Sequence, residues 1–557
     1  MRLTASLYIA IASATSLSPS LFGANIQKAN NADALNLVSS WTGGAVPGSG
    51  DIATWGNTLT AARSTALGGN ISWAGIDASA ATFAHTITGA NTNTLTLGAS
   101  GINLSAGTAN FNITGPALTL SANQTWNINS ARTLAYGANT TGTVFDLGGF
   151  TLTKTGSGIF QATNGHLVKN GIFDVQAGTL ILQSGSSRNI TVENTVTANV
   201  ASGAILRFAV NSGSTSGSTF AANVNLNGGT LSFAGGTSTN YSGNLVVNSA
   251  SSINKTNSGA TITFLISGNI SGTGNLSINS GDGAPIVISG NNSGYSGNWT
   301  IGSGHALHVG GSAVIDKANS VASATGNLGS GSVANNGELV INRTGTLVTN
   351  NLISGTGTLE NRSGNTTLSA NNTYTGATAV NGGQLFINGD QTAAVGSVTV
   401  ASTASLGGTG TIGGLATING NLIAGNGTTS GTLTLKGGVQ LQSTAVLTLL
   451  LDTSGTSTIN LADSALTING ATLDLNIDTN LHIAENSQYN LILGASSRTG
   501  EFSNVANGAT VSFDGHQFTA AYSTSGLTLT AIPEPSTYAL AASAALLGII
   551  ILRRRKT

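Results

Sequence analysis

The first residues to test for chemistry are the six histidines, His85, His166, His305, His308, His482 and His516. A metal site needs several imidazole, thiolate or carboxylate ligands converging on one point. Only His305 and His308 are close in sequence, and residues three apart on a strand point to opposite faces. The spacing predicts scattered turn and surface histidines without a shared metal. Asp514 and His516 lie two apart and could share a face. Asp514-Gly515 reads as a hairpin turn leading into Gln517-Phe518-Thr519-Ala520. Cleaving a polysaccharide takes paired carboxylates, or carboxylates that hold calcium beside a base. Asp282 and Asp452 are the candidates, and nothing around them marks either further. Pieces such as Gly355-Thr356-Gly357 lack the Lys-Thr and the helix of a phosphate loop. With no cysteine there is no thiolate nucleophile, thiolate metal ligand or disulfide. Trp55, Trp73, Trp126 and Trp299 remain: exposed, they would stack on sugars; buried, they are core or cap. The sequence therefore predicts no enzyme, no cofactor and no metal.

The composition says what must hold these residues. Only 7% of the 557 residues are charged, against about 25% in an average globular chain. Hydrophobic residues make up 40%, which opposes disorder. Gly is 77 and Pro only 6, with Thr, Ser and Asn supplying the polar part. That mixture suits strands joined by tight turns. The formal net charge is -1 and no basic patch is visible, so nucleic acid is not an expected partner.

From about 70 to 530, short segments alternate apolar and hydroxyl residues between Gly, Asn and Ser turns. Asn93-Thr94-Leu95-Thr96-Leu97, Gly229-Thr230-Leu231-Ser232-Phe233 and Gly431-Thr432-Leu433-Thr434-Leu435 are examples. Period-two alternation reads as strands with one buried face. Leu180-Ile181-Leu182 is apolar throughout and fits a strand covered on both sides. Such short strands over this length suit a solenoid, in which each coil stacks on the last. A phrase recurs at Tyr241-Ser242-Gly243, Tyr295-Ser296-Gly297 and Tyr374-Thr375-Gly376. Its spacings of 54 and 79 residues are near two and three multiples of about 26, a reasonable coil. At roughly 21 to 27 residues per coil, about 19 to 24 coils would form a rod on the order of 90 to 115 Å long.

Ser354-Gly355-Thr356-Gly357-Thr358-Leu359, Thr367-Leu368-Ser369-Ala370-Asn371-Asn372-Thr373-Tyr374-Thr375-Gly376 and Gly382-Gly383-Gln384-Leu385 resemble the autotransporter-associated β-strand repeat. Degenerate copies touch most of residues 140 to 440. The resemblance implies a right-handed parallel β-helix of the kind found in secreted passenger domains. Ser40-Trp41-Thr42-Gly43-Gly44-Ala45-Val46-Pro47, with Asp51 and Trp55, looks like the opening of such proteins and would cap the first coil. A true autotransporter ends in a membrane barrel, and this chain does not show one.

The two ends read as addresses. Residues 1–24 have Arg2, an apolar stretch from Leu3 to Leu17 and small residues near Ala24, a secretory signal pattern. At the other end Tyr538 to Leu552 is apolar, with four cations after it, and reads as a transmembrane helix. Pro533, Glu534 and Pro535 before that span, with Arg553, Arg554 and Arg555 after it, resemble the PEP-CTERM sorting signal of Gram-negative bacteria. The resemblance implies recognition and cleavage by an exosortase-type membrane protease, and a link to exopolysaccharide.

The expected fold class is therefore all-β, a right-handed parallel β-helix (solenoid), with a signal peptide and a C-terminal transmembrane helix. The expected organisation is a signal peptide over 1–24, an N-terminal cap over 25–69, the β-helix over 70–530 and the sorting signal over 531–557. The expected function is that of an exported structural or adhesive protein of the cell surface or extracellular matrix. It would be anchored in the inner membrane during transit, with exopolysaccharide or neighbouring surface proteins as partners. A carbohydrate-active β-helix enzyme and a glycan-binding module are the alternatives.

Overall fold

Alternation along each strand sends one set of side chains inward and the other out. Leu180, Leu206, Leu231, Ile253, Ile278 and Ile301 occupy one inward position of successive strands and are fully buried. Burial of each contributes about 1.5–3 kcal/mol. In Thr179–Gln183 the middle Ile181 points outward yet is only 8% exposed, so this strand is covered on both sides. The structure is a computed structural model that describes residues 23–532, apart from 139, 141, 212–217, 237–238, 257–263, 282–284 and 312–320. It is a right-handed parallel β-solenoid.

Most coils contribute three strands, one to each face. One face is a sheet of thirteen strands, from Arg63–Ala66 to Ile353–Ser354, every neighbour parallel. At about 4.8 Å per step that sheet alone runs about 58 Å. The register steps vary between 16 residues, from Ser405 to Asn421, and 34, from Trp299 to Val333. The strands at those two extremes are only three or four residues long, Ser405–Gly408, Asn421–Ala424, Trp299–Ile301 and Val333–Asn335, so the corners take up the difference.

Corners explain much of the glycine. Gly357, Gly376, Gly396 and Gly414 stack in one column between two faces. A β-carbon on Gly376 would lie 2.1 Å from the Gly357 carbonyl oxygen, and one on Gly414 would lie 1.8 Å from that of Gly396. The Tyr-Ser/Thr-Gly phrase is a corner device as well. Tyr241, Tyr295 and Tyr374 are buried, and the phenols of Tyr241 and Tyr295 donate to corner carbonyls. The three copies sit at three different corners, so their spacings correspond to whole coils plus a third of a turn. The expected period of about 26 is corrected accordingly: the phrase marks corners and does not repeat with the coil.

Both ends of the stack are closed. Residues 25–69 hold the first coil, Asn25–Gln27 pairing with Ile52–Thr54, and also its cover. Ala29 N–H donates to Ser40 O at 2.8 Å and Thr42 N–H to Gln27 O at 2.8 Å. Trp41 then drops into the core against Trp55 and Trp73, with ring centroids 5.9 and 5.8 Å away. At the far end the parallel pairing finishes with Thr458–Ile468 on Gln488–Thr499. Gln488–Thr499, Gly526–Ala531, His516–Ser523 and Thr510–Phe513 then form an antiparallel cap. Alternation alone does not tell parallel from antiparallel strands, so the sequence extended the parallel run too far. The edge of Thr472–Ile477 is closed by side chains. Asn504 accepts from Leu473 N–H at 3.0 Å and donates to Leu473 O at 2.8 Å.

The transmembrane helix of the expected fold is corrected. Among the described residues the one helical segment is the three-residue turn Val38–Ser40, and no helix is long and apolar enough to cross a membrane. The described chain satisfies its backbone from coil to coil instead. The membrane partner, the protease acting at the membrane and the inner-membrane stage rested on that helix, which the described residues do not contain. The span over 538–552, Pro533, Glu534, Pro535, Arg553, Arg554, Arg555 and all of 1–22 lie outside the described residues.

Candidate functional site

The tryptophans are not a sugar platform. Trp55, Trp73, Trp126 and Trp299 are each 0% exposed. Trp126 Nε1–H donates to Gln124 Oε1 at 2.8 Å, and Trp299 Nε1–H to Leu328 O at 2.8 Å. All four fill the column; Trp126 and Trp299 satisfy their single donors inside it, whereas the Nε1–H groups of Trp55 and Trp73 are buried without a hydrogen-bond partner among the described residues.

His305 sits half-buried at a corner, with its ring over Gly302, while His308 is buried on the strand Ala306–Val309. Among the described residues no group of three His, Cys, Asp or Glu side chains could hold a metal ion. Asp514 and Gly515 form the hairpin turn, both at positive φ, and Phe513 pairs with His516 across it. The Asp514 carboxylate accepts from Ile477 N–H at 2.7 Å, so it closes the end of a strand edge. Asp452 is likewise spent on structure. It accepts from Ser430 N–H and Oγ–H and from Ser454 N–H, each at 2.8 Å, and from Gly455 N–H at 3.0 Å. Burial pushes its carboxyl up, but those donors outweigh burial and hold it below the usual range. Asp282 lies outside the described residues.

One acid–base pair was missed in sequence. Glu360 and Arg362 share a strand face, the Arg362 guanidinium donating to both carboxylate oxygens at 3.0 and 2.7 Å. Asn381 Nδ2–H, one coil on, donates to Glu360 Oε1 at 2.9 Å. The pair's side chains are 16% and 18% exposed. Burial raises the Glu360 carboxyl, and the bonds from Arg362 and Asn381, with the Arg362 charge and then His308, bring it below its ordinary value. The Glu-x-Arg spacing in Glu360-Asn361-Arg362 was the available signal, because residues two apart share a face.

The larger outward feature is polar and uncharged. Gln161 donates to Gln183 Oε1 at 2.7 Å, and Gln183 donates to Asn211 Oδ1 at 2.6 Å. Asn225 donates to Asn199 at 2.8 Å, Asn248 to Asn227 at 2.8 Å and Asn279 to Asn254 at 3.0 Å. Strand alternation puts these amides outside; parallel stacking sets Asn199 beside Asn225 and Asn254 beside Asn279, while Gln161, Gln183 and Asn211 run diagonally, two residues further along at each coil. Each rung keeps an unused donor or acceptor towards solvent.

Fold and surface together define a parallel β-solenoid with a flank of stacked amides and hydroxyls. No family model matches the chain, and no curated protein matches it.

Proposed function

We propose that the chain is a structural and adhesive rod that binds long carbohydrate polymers along its amide flank. The observation that carries this reading is the Gln161, Gln183 and Asn211 run, in which amides of three successive coils join in a diagonal row, two residues further along the strand at each coil. A polymer with regularly spaced hydroxyls matches such a row, each rung giving one donor and one acceptor. The resemblance to the autotransporter-associated repeat supports a structural role. Affinity electrophoresis in gels cast with neutral or acidic polysaccharides tests it. The chain should be retarded, and Gln161→Ala with Gln183→Ala should abolish most of the retardation without changing the melting temperature. Free migration through every polysaccharide would sink the reading.

A polysaccharide-cleaving enzyme is the second reading, favoured by the Glu360, Arg362 and Asn381 cluster. It requires new reducing ends on incubation with polysaccharide and their loss in Glu360→Gln. Retardation without cleavage separates the rod from the enzyme.

A further inference from the structure

The interior of the stack changes character along its length. Between residues 28 and 166 it holds five basic side chains, Lys28, His85, Arg132, Lys154 and His166, each at most 1% exposed. From residue 333 onwards the buried side chains are apolar or carry uncharged amides and hydroxyls, with Asp452 the one charged exception among the described residues. The two imidazoles of the first region are sealed in. His85 Nε2 lies 2.8 Å from Thr65 Oγ1, and its ring packs on Trp55 and Phe111 at 5.2 and 5.7 Å. His166 Nε2–H donates to Tyr136 O at 3.0 Å, with its ring stacked on Tyr136 at 4.1 Å. The Nδ1 of each is buried without a hydrogen-bond partner among the described residues.

We propose that the N-terminal third of the rod is an acid-sensitive segment, which loosens near about pH 5 while the distal column stays folded. A doubly protonated imidazole at either position must bury a positive charge, and at His85 also an Nδ1–H that has no acceptor among the described residues. The charged groups facing His85 are Lys28 and Arg63, both repulsive. Around His166 the carbonyls of Tyr136, Thr143 and Thr163 recover only part of the cost. Asp146 and Lys169, on the two strands paired there, engage each other at 3.6 Å, and Arg188 donates to Ala138 O at 2.9 Å. Burial therefore pushes His85 down to about 3 and His166 to about 4. The unfolded chain takes up those protons below about pH 6.5, so folded coils lose stability as pH falls from there towards the lowered values. In a solenoid each coil touches only its neighbours, so the loss stays local. A rod built this way softens at one end when its surroundings acidify.

Hydrogen exchange on the full chain at pH 7 and pH 5, corrected for intrinsic rates, tests this. Protection in peptides covering His85–Thr88 and His166–Lys169 should fall about 20- to 25-fold per imidazole. Peptides covering Gln384–Ile387 and Asn421–Ala424 should hold. In the His85→Phe, His166→Phe double variant the drop should vanish. Unchanged protection at both ends, an equal fall along the whole chain, or a fall that persists in the folded double variant would each overturn the proposal. If the double variant does not fold, the regional contrast in the unmodified chain decides alone.

Discussion

Gly376 lies so directly over Gly357 that a β-carbon there would sit 2.1 Å from the Gly357 carbonyl oxygen. The atom in the way is backbone, which no rotamer change can move. Gly376→Ala should therefore destabilise the fold by about 1–3 kcal/mol, as overpacking does. Gly345→Ala, where nothing lies within 4 Å, should stay within about 0.5 kcal/mol. Urea denaturation of both variants checks the contrast, and equal effects would refute the stacked-corner account.

The corner tyrosines give a second test. Tyr241 is 0% exposed, and its hydroxyl lies 2.9 Å from both Ala222 O and Asn244 O. Tyr241→Phe keeps the ring and leaves buried carbonyls with one donor fewer. A loss of about 1–3 kcal/mol is expected, visible as a lower denaturation midpoint. A neutral result would mean the phenol is not what holds the corner.

Asn504 stands in for a strand by satisfying both backbone groups of Leu473. Asn504→Ala should uncover that edge, and open edges recruit other chains. Light scattering should show concentration-dependent association that the unmodified chain lacks at the same concentration.

The buried lysines set an alkaline signature. Burial pushes Lys28 and Lys154 down to about 8, below the 10.5 of an exposed lysine. Between those values the unfolded chain binds more protons than the folded one. Folding stability should then rise as pH climbs from about 8 towards 10, until the tyrosines of the unfolded chain begin to ionise. Lys154→Met should flatten the rise. Thermal melts across that window measure it, and stability that falls steadily from pH 8 would contradict it.

The legible parts of this molecule were local. Alternation in Gly229-Thr230-Leu231-Ser232-Phe233 shows a strand with one inward face because side chains flip with every residue. Asp514-Gly515 shows a hairpin because positive φ is available there. The Tyr-Ser/Thr-Gly phrase was visible as well, but its meaning was not. Its copies sit at three different corners, and the register steps vary from 16 to 34 residues. Glu360-Asn361-Arg362 was likewise legible as a same-face pair and was passed over.

The sequence by itself determined the strand class, the uncharged surface and the absence of thiol chemistry, since each follows from composition and nearest-neighbour periodicity. Only the tertiary structure decided which residues meet across coils. It buried every tryptophan, turned Asp452 and Asp514 into structural acceptors, joined Gln161 diagonally to Gln183, and sealed His85 and His166 inside one end. Those outcomes depend on the length of each corner, because a coil one residue longer brings a different side chain over its neighbour.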